Sequence, residues 1–240
     1  MIGAVLAAGA LGYHFFAKGH AGAIGASNPD AAFPASGAMP ANVADPHAVF
    51  LNTGPMPMPL EAGQWVRYGM TQPDGTNFST TYKVLARRDT AYDFEAVLYT
   101  VKGRSVYQYT LRVTDRFDPA AIKVESGRLQ PPASRAMNFD ANLLDPHNHI
   151  FEPHVGPLTL PKFEGAPRED IASAAGKFRG AFVAEGHIKL QTEDVTTKGW
   201  YHPQVPIFGL VKSQSTNELV MHWELQGFGT TGAVSEWPSR

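Results

Sequence analysis

Tyr107-Gln108-Tyr109-Thr110-Leu111-Arg112-Val113-Thr114 is the stretch on which the fold turns. Its apolar members, Tyr107, Tyr109, Leu111 and Val113, alternate strictly with Gln108, Thr110, Arg112 and Thr114. A period of two places successive side chains on opposite faces of a strand, one buried and one wet, as in an antiparallel sheet. Leu219, Met221, Trp223 and Leu225 alternate with Glu218, Val220, His222 and Glu224 in the same way. Working outward, further strands are expected at 65–71, 78–87, 92–101, 121–125, 178–184, 187–192 and 207–214. Turn signals separate them at Pro73-Asp74-Gly75, Lys102-Gly103, Glu185-Gly186 and Ser215-Thr216-Asn217. Many short strands joined by tight turns predict a mainly β domain over 63–240, an antiparallel half-barrel or a sandwich around one core. Only 168–175 reads as helical, because Glu169 and Asp170 suit the positive end of a helix. The stretch 130–167 carries prolines at 131, 132, 146, 153, 157, 161 and 167. It reads as a long excursion over one end of the sheet, where function tends to sit.

The chain begins differently. Residues 1–17 contain no Asp, Glu, Lys or Arg, and the run stops at Lys18. At 1.5 Å per residue a helix over this run is roughly 25 Å long, near the short end of what crosses a bilayer. Gly3 with Ala7, and Ala8 with Gly12, sit four apart on one helical face, where a neighbouring backbone can approach closely. We therefore expect a membrane anchor over 1–18 that packs beside other membrane helices. The competing reading is a cleaved export signal, for which Ala21-Gly22-Ala23 supplies a small-x-small site, although no basic residue precedes the run. Either way the β-domain is expected beyond the cytoplasmic membrane, with the N-terminus inside. His14 is an ionisable group at membrane depth, which by default suggests a role. Ala10-Leu11-Gly12-Tyr13-His14 resembles the chlorophyll-ligating helix of light-harvesting polypeptides, which implies pigment contact at His14; snorkelling to the interface is the simpler account.

Residues 19–62 form an Ala/Pro/Gly-rich segment with prolines at 29, 34, 40, 46, 55, 57 and 59. So many prolines forbid a continuous helix. Its apolar content (Phe33, Val43, Val49, Phe50, Leu51 and three methionines) suits an extended arm lying along a partner as well as a free tether.

Chemistry is sparse. The 240 residues contain no cysteine, so there is no disulfide framework and no lipidated N-terminal cysteine. A net charge of −2 without a basic cluster argues against nucleic acid as a partner. There is no G-x-S-x-G elbow, P-loop or dinucleotide fingerprint. His147, His149 and His154, with Asp145 and Glu152, form a permissive metal-ligand pattern; the alternative is a proline-braced loop whose histidines bond backbone carbonyls. Trp65, Phe94, Trp200 and Trp223 are core or sheet-surface positions that could line a hydrophobe-binding concavity. Glu218 and Glu224 are expected to face solvent. Pro206 belongs at a strand start or an edge, and Gly209 marks a bulge or a close approach.

The segment Gly199-Trp200-Tyr201-His202-Pro203-Gln204-Val205-Pro206-Ile207-Phe208-Gly209-Leu210-Val211-Lys212 adds a family likeness. With the strand at 218–226 and Gly227-Phe228-Gly229, it resembles the closing hairpin of the lipoprotein-carrier (LolA/LolB-like) superfamily. That resemblance, over the last forty residues or so, implies a curved antiparallel sheet wrapped on a helix, with acyl chains held in the concavity.

Taken together, the residues point to a non-enzymatic accessory subunit of a cytoplasmic-membrane complex, photosynthetic or respiratory for example, with its β-domain on the periplasmic face. Its expected partners are integral membrane subunits and membrane lipid, with no cofactor required. The alternatives are a periplasmic lipid- or hydrophobe-binding module and a metal-dependent enzyme built on the His147–His154 loop.

Overall fold

A computed structural model describes residues 45–71, 77–101, 103–139, 150–190, 193–215 and 222–238. The strands are β1 (Val49–Leu51), β2 (Trp65–Thr71), β3 (Asn77–Arg88), β4 (Ala91–Thr100), β5 (Gly103–Val113), β6 (Ile122–Gln130), β7 (Met137–Phe139), β8 (Arg168–Ser173), β9 (Gly176–Leu190), β10 (Glu193–Tyr201), β11 (Leu210–Ser215) and β12 (His222–Gly229). They form one open sheet in the order β1-β9-β10-β11-β12-β2-β3-β4-β5-β6-β7, with β8 pairing β9 off this path. All pairings are antiparallel except β1 with β9. The mainly β expectation is met. No helix among the described residues is long and apolar enough to cross a membrane; the expected anchor at 1–18 lies outside the described residues.

The sheet is strongly curved, and one side chain demonstrates it. β5 and β10 are six strands apart, roughly 29 Å if the sheet were flat at about 4.8 Å per strand. Yet Arg116, just past β5, donates through Nη2 to the Ile207 carbonyl in the β10–β11 loop. The same guanidinium reaches the Met58 carbonyl at 3.2 Å and the Leu158 carbonyl at 3.4 Å. Burial pulls the Arg116 pKa down to about 10, with Tyr92 opposing the shift. One half-buried cation thus ties three loops across the mouth of the concavity.

The concave face is filled by the chain itself. Tyr68, Tyr82, Phe94, Leu111 and Leu225 point in from the strands, and Phe151, Leu158, Ile207 and Phe208 come down on them from loops, all nearly inaccessible to solvent. Each such side chain contributes about 1.5–3 kcal/mol of apolar transfer free energy. Phe208 meets Tyr82 edge-on at 4.8 Å, and Phe151 meets Phe139 at 5.4 Å. Phe151 lies on β6 where Gly127 leaves room: a Cβ at that position would sit 2.4 Å from its ring. Gly209 combines φ +67° with a Met56 methyl 2.4 Å from where a Cβ would be, the close approach its setting among bulky residues predicts.

Local expectations fail in three places. Residues 168–173 are strand β8, not helix. Eight residues are too few to hold a helix without tertiary help, and here Asp170 Oδ1 instead accepts the Gly180 N–H at 2.8 Å. Glu185-Gly186 is no turn but the interior of β9, pairing with Lys198 and Thr197. The strand expected at 207–214 starts only at Leu210, because Ile207, at φ +62°, belongs to the tight loop before it. Among the described residues the α-helix is α1 (Glu152–Val155), in the proline-rich excursion. In the expected arm, Val49–Leu51 joins the sheet as β1, and Phe50 stacks on Phe178 at 4.7 Å.

Candidate functional site

Several expected site residues fall outside the described residues: Gly3, Ala7, Ala8, Gly12 and His14 in 1–44, and His147 and His149 in 140–149. His154 is described, and it is buried within an aromatic cluster. Its ring lies 4.3 Å from Tyr107, 5.9 Å from Tyr82 and 6.4 Å from Tyr109. Burial lowers its pKa to about 3, so it is a neutral imidazole. Among the described residues, its Nδ1 and the nearby Tyr109 hydroxyl both lack a hydrogen-bond partner. Such buried groups are normally satisfied, by ordered water where protein offers nothing. Among the described residues no three His, Asp or Glu side chains converge as a metal site.

The four aromatic candidates are not gathered around one cavity. Phe94 stacks parallel to Tyr109 at 5.9 Å, and Trp223 packs on Tyr68 at 5.5 Å, both in the filled interior. Trp65 is on the opposite face of β2, against Gly229. Trp200 donates Nε1–H to Glu169 at 2.8 Å, beneath β8. Glu224 accepts the Ala174 N–H at 3.1 Å and faces Lys212 at 3.4 Å, while Glu218 lies outside the described residues.

The densest polar constellation lies on the convex face, where alternation brings Lys83 of β3, Glu95 and Tyr99 of β4 and Gln108 of β5 to one patch. Lys83 is directly opposite Glu95 in the β3–β4 ladder. Over them runs the C-terminal segment 233–237, which has no regular secondary structure. Lys83 Nζ donates to Glu95 Oε1 at 2.9 Å, to the Val234 carbonyl at 2.9 Å and to Glu236 Oε1 at 2.8 Å. Glu95 Oε1 also accepts the Glu236 N–H at 2.8 Å, and Oε2 accepts from Gln108 at 2.7 Å and the Ser235 hydroxyl at 2.7 Å. Glu236 Oε2 accepts from the Tyr99 hydroxyl at 2.6 Å and Arg104 at 3.2 Å. Burial pushes the Glu236 carboxyl up, but Lys83, Tyr99 and Arg104 together outweigh it and hold it below its ordinary value. Trp237 closes the segment under the Arg128 guanidinium, 4.0 Å from the ring centroid. It packs against Val97, Tyr99 and Val106.

This arrangement defines its own chemistry. An ammonium has three protons and no lone pair, and all three of Lys83 are engaged. Both Glu95 oxygens accept two bonds each, and the side chain is fully buried at 0 % exposure. Groups bonded this fully hold the segment 233–237 in one arrangement. Sequence reasoning missed the cluster although one signal was present: a charge set between apolar neighbours in each of two strands, Tyr82-Lys83-Val84 and Phe94-Glu95-Ala96. Beside it, an open groove of about 610 Å³ runs on along β4–β7, lined in part by Asp93, Gln108, Thr110, Arg128, Asn138 and Ser235.

No protein-family model matches the sequence, and no curated protein matches it. Among solved structures, the chain is similar to a protein from Bacteroides fragilis whose name describes it as exported, with a YmcC-like fold. The identity is 14 %, over 72 % of this chain and 98 % of that one, with a TM-score of 0.35. At that level the likeness carries no argument about fold or function.

Proposed function

We propose that this chain is a non-catalytic accessory subunit of a cytoplasmic-membrane complex. In this reading residues 1–18 anchor it beside other membrane helices, and the curved sheet is a half-barrel standing on the periplasmic face. The observation that carries the proposal is the filled concavity. Phe151, Leu158, Ile207 and Phe208 occupy the space where a carrier of the LolA/LolB type would hold acyl chains. That supports a docking role over the hydrophobe-binding alternative. The saturated network around Lys83 and the neutral, buried His154 likewise favour structure over catalysis.

The docking surface starts where the arm enters the sheet. Val49 and Leu51 are 54 % and 61 % exposed on the edge strand β1, within the low-charge arm. Single exposed apolar residues are ordinary, but these two continue an apolar, proline-rich segment toward the proposed anchor. An integral membrane subunit is the partner that suits them. Extraction of the native protein in mild detergent, followed by size-exclusion chromatography, should show the chain co-migrating with larger integral membrane proteins. Elution as a free 26 kDa monomer would overturn the proposal.

A further inference from the structure

The C-terminal segment is held in a manner unlike ordinary chain packing. Charged side chains are seldom buried and then only when paired; here 234–237 covers a buried ion pair. The contacts divide as they do in peptide recognition, with main-chain bonds for grip and side-chain pockets for selectivity. The grip comes from Lys83 on the Val234 carbonyl and from Glu95 on the Glu236 N–H. A carboxylate seat is built from Lys83, Tyr99 and Arg104, and an aromatic slot from Arg128 with Val97 and Val106.

Two further features make the segment separable from its seat. It joins no strand ladder, and its backbone tie to the rest of the chain just before the seat is the Ala233 N–H to the Gly63 carbonyl at 2.9 Å. Lifting it away would also strand no charge. Lys83 and Glu95 remain paired to each other at 2.9 Å, with Gln108 still on Glu95, and both would gain water. The groove therefore stays chemically complete when empty. It also continues past Ser235 into the open stretch along β4–β7, farther than the chain's own segment fills it.

We propose that the convex face of β3–β6 is a peptide-recognition groove for an extended segment carrying a small polar residue, a glutamate and an aromatic residue in succession. The chain's own Ser235-Glu236-Trp237 fills it in cis, and a partner polypeptide with the same pattern displaces it. This does not depend on the membrane assignment, since every group it uses lies on the β-domain.

The test uses residues 1–232, anchor segment included, in detergent micelles, with a fluorescein-labelled peptide of sequence 233–240 added in trans. Saturable binding is expected, weakened at least tenfold by Glu236→Ala in the peptide or Arg104→Ala in the groove. A folded truncated chain that shows no saturable binding up to about 1 mM peptide (about −4 kcal/mol), or binding indifferent to Glu236→Ala, overturns the proposal. If truncation prevents folding, the intact chain labelled with 5-fluorotryptophan gives a second measurement. Excess unlabelled peptide should move the ¹⁹F signal of Trp237, assigned with Trp237→Phe, to its solvent-exposed position. A signal that stays in place under saturating peptide overturns the proposal equally, whereas failure of the detergent co-migration experiment would leave it standing.

Discussion

Replacing Lys83 with Met probes the convex cluster at its centre. Methionine keeps most of the side-chain length and removes the charge, so the shape of the site is nearly conserved. Glu95 is then a fully buried carboxylate without its cation, although Gln108, Ser235 and the Glu236 N–H still donate to it. Breaking a buried ion pair from one side costs about 3–5 kcal/mol. The three remaining donors put the expected loss near the lower end, about 3 kcal/mol. For a domain of this size that corresponds to a fall in Tm of roughly 6–12 °C. Removing both charges, in Lys83→Met with Glu95→Met, should recover part of the loss, because the unpaired buried carboxylate is gone while Gln108, Ser235 and the Glu236 N–H lose their acceptor. Urea and thermal unfolding followed by far-UV circular dichroism in micelles read both variants. If Lys83→Met unfolds within about 0.5 kcal/mol of the unaltered chain, the pair is not desolvated as described and the reasoning fails.

Other perturbations test other parts of the account. Phe151→Ala empties the space above Gly127 and should cost about 3–5 kcal/mol in urea unfolding; a change under 1 kcal/mol would mean the concavity is not filled from that loop. Gly209→Ala forces a side chain into φ +67° against the Met56 methyl and should lower stability by more than 1 kcal/mol. Met56→Ala in the same chain should restore only part of that, since the backbone strain persists. His154 is neutral when folded and titrates near 6.5 when unfolded. With its folded pKa depressed to about 3, the unfolded chain binds the extra proton, so stability is lost as pH falls between about 6.5 and 3. The slope approaches about 1.4 kcal/mol per pH unit, and His154→Phe should flatten it. Glu236, also depressed, contributes stability that is fully present above the ordinary carboxylate value and lost as pH falls through its own. Glu236→Gln should therefore match the unaltered chain most closely in acid.

What could be read from the sequence was what depends on neighbours in the chain. The alternation in 107–114 placed Tyr107, Tyr109 and Leu111 inward without error, because strand geometry fixes which face each side chain takes. Gly209 was legible for the same reason: a glycine among Ile207, Phe208 and Leu210 has to be making room for something. Where local and distant preferences compete, the reading failed. Glu169 and Asp170 look like a helix start, but their carboxylates bond Lys198, Trp200, Arg179 and Gly180 on neighbouring strands. Glu185-Gly186 looks like a turn until Thr197 and Lys198 are seen to pair with it. The convex cluster was out of reach because Lys83 and Glu236 are 153 residues apart, and no periodicity links a strand to a tail. Arg116 is similar: nothing local distinguishes it from a surface arginine, yet it closes the concavity on Met58, Leu158 and Ile207.

The most direct test of the docking account is site-specific photocrosslinking in intact membranes, from a benzoylphenylalanine placed at Leu51 on the exposed edge of β1. The account predicts one dominant adduct, to an integral membrane protein that also co-purifies with the chain in mild detergent, and the loss of that adduct when residues 1–18 are deleted. Adducts only to lipid or to soluble periplasmic proteins, or an adduct unchanged by the deletion, would contradict it.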